Sequence, residues 1–442
     1  MGDAAYGAVC ASTGASGIPR HPAYIVVDLT GGAQLPGSNI MVGGRGGQKD
    51  FLPEYDTIGL PAGLHPSLAG VDERFGLAFH PRSALLAGIV EKFADTEAQQ
   101  KVEGGAFASA SSDDTQNNEH NSCQYIAKLL GRGELASVIG SSPTNSGGHA
   151  AAPADSYSPL TRSTHITGVQ DLVNIVSPGR LGTFVGAANA PRVEKILALI
   201  HRMSAQQLKS FESMFLADQI KVINECAYQD SEKLISAEKQ AEIAPPTDVN
   251  LTAIVGNNLD TTLGRAMILA RAILKGHATT GTIALGGYDY HDKTRTTANG
   301  KEREAGQVIG GILEYARRIN RAVMIVVVTD GGIVTDKTQA DPTLGFNVCQ
   351  ADSGERSVSF TLVFNPTEKP KIIKPGRQIG WYTGQSVDRG SSKIGGSPDA
   401  LAKAHFANYL ALLGREGEFS KFVTNDPFRS ELEDYLIFSK LG

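Results

Sequence analysis

The sequence is poor in cysteine and tryptophan. It contains four cysteines and one tryptophan in 442 residues, and no two cysteines form a Cys-x-x-Cys pair. This pattern argues against a zinc ribbon or a thioredoxin-like redox site. The cysteines lie far apart, at Cys10, Cys123, Cys226 and Cys349. Their even number permits two disulfides in an oxidising compartment, and the alternative is that they are buried thiols.

The sequence also lacks positive charge and long apolar runs. Its 41 Lys and Arg residues against 46 Asp and Glu give a formal net charge of −5, so nothing indicates a nucleic-acid partner. No stretch approaches the roughly 18 apolar residues of a membrane span. Residues 1–17 have neither the basic nor the apolar region of a secretory signal. We therefore expect either a cytosolic protein or a processed form of an exported one.

What the chain does have is globular composition, with 41% hydrophobic residues and 50 glycines. The glycine excess over the usual ~7% predicts many tight turns. We predict a flexible N-terminal tail over residues 1–22 and a single α/β domain over residues 23–442, with a helical excursion at about 191–245. In that excursion Val193, Ile196, Leu197, Ile200 and Met203 repeat at helical spacing, and this stripe predicts a helix face buried in the core.

Short apolar runs, most of them rich in β-branched residues, predict buried strands in several places. They cover residues 23–28, 282–285, 323–330 and 357–364. A helical pattern over residues 304–317 lies between the second and third run. Alternation of strands with helices is typical of a mostly parallel sheet covered on both faces. The sequence thus predicts a three-layer α/β sandwich.

Acidic residues follow three of these strands. Asp28, Asp289 and Asp330 are predicted at one edge of the sheet, His291 shares a loop with Asp289, and Asp352 is a fourth acid. Carboxylates brought together repel one another unless a cation neutralises them. One interpretation is therefore a divalent metal site for Zn, Mn, Mg or Ca. The other is that each Asp caps a turn or a helix.

Two further segments predict anion-binding backbone. The polar residues 111–121 run into a predicted helix at 123–130, and backbone N–H groups at a helix N-terminus attract anions. Some of these residues cap the helix instead. The glycine-rich residues 43–47 are either an anion cradle or an ordered surface loop.

The motif Gly286-Gly-Tyr-Asp-Tyr-His291, the helix after it and the strand ending at Asp330 resemble the uncharacterised DUF1501 proteins of the alkaline phosphatase superfamily. Residues 26–32 are similar to the family's opening strand followed by Gly-Gly, and residues 117–121 to its His-containing polar loop before a helix. Residues 75–80 resemble its early region. The similarity is scattered over most of the chain and is specific at three or four short places.

This resemblance implies an alkaline phosphatase-like sandwich with two metals and a Ser or Thr nucleophile at a helix N-terminus. It implies that Asp28 and Asp330 bind one metal and that Asp289 and His291 bind the other. Thr115 is the first candidate nucleophile and Ser122 the second. Such a centre would hydrolyse small phosphate or sulfate esters, because two metals can clamp the attacking and leaving oxygens.

The chain departs from the family's pattern at expected metal ligands. Asp330 is followed by Gly331 where the phosphatases have His, and residues 352–354 read Asp-Ser-Gly where the family has a His. His120 and His149 are candidate replacements. One interpretation is a degenerate member of the family that retains one metal ion. It would serve as a binding or structural component of a cell-envelope assembly, with a protein partner or as a homo-oligomer. The alternative is a metal-dependent hydrolase. Members of the family commonly carry export signals, so the resemblance implies an exported, periplasmic protein.

Overall fold

The computed structural model describes residues 19–110, 118–158, 161–176, 190–211, 242–290, 293, 295–352, 354–390 and 392–442. Most of the predicted N-terminal tail therefore lies outside the described residues. Thr115, His291, Cys10 and Cys226 lie outside them as well. Cys123 is a buried free thiol, and Cys349 is also buried, as the second interpretation of the cysteines predicts for these two.

The β-strands are β1 (Ala23–Leu29), β2 (Val102–Ala108), β3 (Ala136–Gly140), β4 (Ser163–His165), β5 (Ala278–Leu285), β6 (Val323–Thr329), β7 (Ile333–Ala340), β8 (Asn347–Asp352), β9 (Val358–Phe364), β10 (Gln378–Ile379), β11 (Tyr382–Thr383) and β12 (Ser386–Val387). The α-helices are α1 (Pro66–Ala69), α2 (Ala84–Lys92), α3 (Thr96–Gln99), α4 (Cys123–Leu130), α5 (Val169–Val176), α6 (Ala190–Leu208), α7 (Val249–Val255), α8 (Thr262–Leu274), α9 (Arg295–Arg318), α10 (Pro398–Leu413) and α11 (Phe419–Phe422). None of these helices is long and apolar enough to cross a bilayer.

Eight of the described strands form the central sheet, in the order β10-β2-β9-β6-β1-β5-β3-β4. Strand β9 is antiparallel to both of its neighbours, β6 and β2, and the other pairings in the sheet are parallel. The predicted fold class is confirmed: the sheet is mostly parallel and helices flank it.

Both faces of the sheet are buried, which explains why the parallel strands are continuously apolar. In β1, Ile25 and Val27 belong to one buried cluster, which includes residues of α2, α8 and α9. Tyr24 and Val26 point to the opposite face and belong to a second cluster, which includes residues of α4 and α10. Side chains alternate between the two faces because strand residues have a period of two.

The register of the parallel strands brings their carboxyl ends to one edge. Asp28 in β1 lies opposite Ala284 of β5 and Val328 of β6. The hairpin of β7 and β8 leaves this edge just after Asp330 and returns at Asp352, which pairs with Ile333. The edge that the sequence predicts to be acidic is thus built by strands that are distant in sequence.

The prediction that the stripe on α6 is buried in the core is wrong. Ile196, Ile200 and Met203 are 37%, 46% and 54% exposed. Helical periodicity shows only that apolar residues share one face, not what covers that face. Among the described elements, the main contact of α6 is with the short 3-10 turn Lys209–Phe211 that follows it.

Candidate functional site

Asp28 is the most completely enclosed acid at the sheet edge. The backbone amides of His149 and Ala150 donate to its Oδ2 atom at 2.6 and 2.8 Å. Its Oδ1 atom is buried and has no hydrogen-bond partner among the described residues. Burial raises the pKa of Asp28, although the two amide hydrogen bonds and the nearby His149 oppose that rise. The carboxyl group is therefore held from one side only.

Asp330 follows the neighbouring strand and is also buried. The side-chain amide of Asn118 donates a hydrogen bond to its Oδ1 atom. The carbonyl of Asn118 in turn accepts from the amide of Ala151 at 2.8 Å. The loop at residues 118–121 and the loop at residues 144–151 are thereby joined to each other, and together they contact both acids.

Asp289 and Asp352 contact the glycine turn that follows β1. A Cβ atom on Gly31 would lie 2.7 Å from the amide nitrogen of Asp289, and one on Gly32 would lie 2.5 Å from the Cβ atom of Asp352. Such distances are too short for a side chain, so only glycine allows this close approach. The structure thus places all four described candidate acids at or beside the end of β1.

Replacing Gly31 by Ala should reveal how tightly this turn is packed. Gly31 has a φ of +103°, and the added methyl group would also collide with Asp289. We expect a loss of about 2 kcal/mol in the free energy of unfolding, measured by urea denaturation. Gly70 is the matched control, because it has a φ of +75° and open space around it. Gly70→Ala should cost about 1 kcal/mol from backbone strain alone; equal costs would contradict the tight packing at Gly31.

The two-metal centre does not fit the residues that the structure describes. Within the described ranges, no three His, Cys, Asp or Glu side chains come together as a group that could bind a metal ion. Protein N–H groups donate to one oxygen each of Asp28 and Asp330. His291, the implied partner of Asp289, lies outside the described residues. Among the acids of the sheet edge that the structure describes, Asp28 offers an oxygen that fits a cation ligand, its orphaned Oδ1 atom.

Ser122 and His120 lie in the core beside the strands. The hydroxyl of Ser122 forms a hydrogen bond with the hydroxyl of Tyr24 and does not cap α4. His120 is buried, and burial lowers its pKa to about 4. It lies near His405 of α10, whose pKa is lowered to about 3 by burial and by His120. His405 contacts the hydroxyl of Ser359 at 2.8 Å.

Two residues of this region are not singled out individually by the sequence, although Asn118 belongs to the polar loop at residues 117–121. Asn118 contacts Asp330, and His405 forms a buried cluster with His120. A lone Asn in a polar loop and a lone His in an apolar helix are ordinary structural residues. Only the fold brings them to these positions.

The glycine-rich residues 43–47 form an ordered loop whose backbone donors are in use. The amide of Gly43 donates to Gln378, and those of Gly44 and Gly46 donate to Asp50, all at 2.8–3.0 Å. The amide of Gly47 donates within the loop, to Gly44 at 3.1 Å. The structure therefore supports the surface-loop interpretation over the anion cradle.

Comparison with known proteins does not assign the chain to a family. No family model matches the sequence, and no curated protein is similar to it at a significant level. The resemblance to the alkaline phosphatase superfamily thus stays a hypothesis, whereas the mostly parallel α/β sandwich is a property of the structure itself.

Proposed function

We propose that this chain is a non-catalytic binding or structural protein, related to the alkaline phosphatase superfamily, whose hydrolytic centre has degenerated. The observation that supports this proposal is the set of N–H donors on the strand-end acids. Asp28 accepts from two backbone amides, and Asp330 accepts from the amide of Asn118. Neutral donors thus take up carboxylate oxygens that a two-metal enzyme would offer to its metals.

The proposal includes one retained divalent cation. The Oδ1 atom of Asp28 is buried without a partner, and a buried carboxylate oxygen is costly unless a positive charge or a donor meets it. Oxygen ligands of this kind suit Mg²⁺, Ca²⁺ or Mn²⁺, and participation of His149 or His291 would favour Zn²⁺. The cation would neutralise the edge of the sheet and give the protein a place to bind an anionic or carbonyl group of a partner.

The alternative is a metal-dependent hydrolase of phosphate or sulfate esters. It is favoured by the close approach of Asp289 and Asp352 to the glycine turn after Asp28. In this case Thr115 would supply the nucleophile, because the hydroxyl of Ser122 is bonded to Tyr24. Such an enzyme needs the strand-end acids, a cation and the nucleophile in one place.

Metal analysis combined with an activity assay separates the two functions. We expect the purified protein to bind at most one divalent cation and to leave aryl phosphates and aryl sulfates intact with added Zn²⁺, Mn²⁺, Mg²⁺ or Ca²⁺. Asp28→Asn should abolish the rise in melting temperature that the bound cation causes, because it removes the ligand charge. Asp72→Asn is the control, since Asp72 pairs with Arg74 at 2.6 Å near the surface, away from the sheet edge.

Measurable hydrolysis of aryl phosphates or aryl sulfates would favour the hydrolase. A rate of ester hydrolysis that is lost in both Asp289→Ala and Asp330→Ala, but kept in Asp72→Ala, would contradict the proposal of a degenerate centre. A cation effect on melting temperature that persists in Asp28→Asn would place the cation elsewhere.

A further inference from the structure

One face of α6 carries large apolar side chains that stay exposed. Ile196, Leu199, Ile200 and Met203 are 37%, 52%, 46% and 54% exposed, and their spacing of three, four and seven residues places them on one stripe. Single exposed apolar residues are common on protein surfaces, but a contiguous patch marks an interaction site. This face therefore needs an occupant.

A row of basic residues borders the stripe. Lys195 and Arg202 are exposed and seven residues apart, so they lie along one line of the helix surface. Lys209 is also exposed and begins the 3-10 turn directly after α6. Glu194 and Glu212 are the acids nearest to this row, against the four basic residues Arg192, Lys195, Arg202 and Lys209. This segment is thus locally positive in a chain with a net charge of −5.

The charges favour an anionic occupant over an antiparallel second copy of the chain. If two α6 helices packed face to face and antiparallel, the twofold axis would place both basic rows on the same side, where they repel. The one acid of α6, Glu194, offsets that repulsion only in part, because Arg192, Lys195 and Arg202 outnumber it. An anionic bilayer surface offers both an apolar interior for the stripe and negative headgroups for the row.

We propose that α6 is an interfacial helix that docks the protein on anionic lipid membranes. Its 19 residues span about 28 Å, and the helix would lie in the plane of the interface with the stripe inserted among the acyl chains. The row from Lys195 to Lys209 would contact the headgroups. An apolar face bordered by Lys and Arg, with low net hydrophobicity, is typical of such helices. Docking is reversible and does not involve the acids at the sheet edge.

Vesicle flotation tests this proposal on the full-length protein. We expect binding to phosphatidylcholine vesicles that contain about one third phosphatidylserine, loss of binding at high salt and no binding to phosphatidylcholine alone. The variants Ile200→Ser/Met203→Ser and Lys195→Gln/Arg202→Gln/Lys209→Gln should each lower the partition coefficient at least about tenfold.

The controls exclude general effects of surface apolarity and of misfolding. Leu68 and Val249 are 75% and 76% exposed on other helices, so Leu68→Ser and Val249→Ser should leave vesicle binding unchanged. Unaltered circular dichroism would show that the α6 variants fold. Absence of vesicle binding, or equal binding by Ile200→Ser/Met203→Ser, would overturn the proposal. A dimer in sedimentation equilibrium that this same variant dissociates, without vesicle binding, would assign the face to a second copy.

Discussion

Replacing Asp248 by Ala is expected to lower the free energy of unfolding by about 3–5 kcal/mol. The Oδ2 atom of this buried acid accepts hydrogen bonds from Arg271 and from Tyr315, both at 2.6 Å. Its Oδ1 atom caps α7 by accepting from the amides of Asn250 and Leu251. Ala would leave the guanidinium of Arg271, which is 1% exposed, without its counter-charge, and it would remove a helix cap worth about 1 kcal/mol.

The stabilisation that Asp248 provides should also depend on pH. Burial acts to raise the pKa of Asp248, but the hydrogen bonds from Tyr315 and Arg271 and the charge of Arg271 outweigh it and hold this pKa well below its ordinary value. A lowered pKa in the folded state means that the stabilisation is present above the ordinary pKa near 3.8 and is lost as the pH falls through the folded value.

Urea denaturation at pH 7 measures the free energy of unfolding that Asp248→Ala loses, and a variant of a surface acid is the control. Asp72→Ala removes a more exposed ion pair with Arg74 and should cost less than about 1 kcal/mol. Asp248→Asn keeps an acceptor for the helix cap and should be milder than Asp248→Ala. A cost of Asp248→Ala as small as that of Asp72→Ala would show that water or a rearranged partner solvates Arg271.

The parallel core of the fold could be predicted because its strands are buried on both sides. In β1 and β6, continuous runs of apolar residues are the signature of such strands, and the helical period of α9 lies between β5 and β6. These signals are local in sequence. Their order, together with the right-handed crossover rule, leaves few alternatives to a mostly parallel sheet.

Strand β2 could not be predicted, because its neighbours rather than its own residues make it a strand. Its sequence contains Glu103, Gly104 and Gly105, and glycine weakens a strand. The glycines are used for packing: Cβ atoms on Gly104 and Gly105 would lie 2.4 Å from Leu77 and 2.3 Å from Ile437. Glu103 is compensated by Arg377 at 2.9 Å. Each of these partners is distant from β2 in the sequence, and no sequence pattern marks it as a neighbour of this strand.

The candidate site likewise has one part that could be predicted from the sequence and one part that could not. Strand ends predict that Asp28 and Asp330 share an edge, because the carboxyl ends of parallel strands point the same way. The donors that hold them come from loops whose course is not encoded in any periodic pattern. Asn118 and the amides of residues 149 and 150 reach the acids only because the two loops are hydrogen-bonded to each other. The metal-ligand roles of these acids stay predictions.

Glu302 should make the stability of the protein depend on pH around neutrality. It lies on α9, where it is fully buried. Its Oε2 atom accepts from Asn39 at 2.7 Å, and its Oε1 atom has no partner in the described part of the chain. Burial raises its pKa from 4.5 to about 7, and the nearby charge of Arg295 and the hydrogen bond from Asn39 oppose that rise only in part.

The sign of the effect follows from the raised pKa. The protonated acid contributes stability fully below its ordinary pKa near 4.5, and this contribution is lost as the pH rises through about 7. Glu302→Gln removes the ionisation but keeps an acceptor for Asn39. We therefore expect the variant to match the parent protein at pH 4.5 and to exceed its free energy of unfolding at pH 8.5 by roughly 2–3 kcal/mol.

Chemical denaturation across this pH range checks the prediction at Glu302, with Glu304→Gln as the control. Glu304 lies on the same helix but is partly exposed and pairs with Lys301 at 3.0 Å, so its variant should differ little from the parent at any pH. Tyr288 and Tyr290 flank Asp289. Burial and the charges of Glu304 and Glu302 raise the pKa of Tyr288, and burial and the charge of Glu302 raise the pKa of Tyr290. The hydroxyls of Tyr288 and Tyr290 donate to backbone carbonyls of α9, at Lys301 and Ala298, so we expect ionisation of Glu302 on that helix to loosen the loop that carries Asp289. Amide hydrogen exchange in residues 286–290 should then rise between pH 6 and pH 8 (after correction for the intrinsic rate) in the parent but not in Glu302→Gln. Equal hydrogen exchange of residues 286–290 in both proteins would contradict this coupling between Glu302 and the loop that carries Asp289.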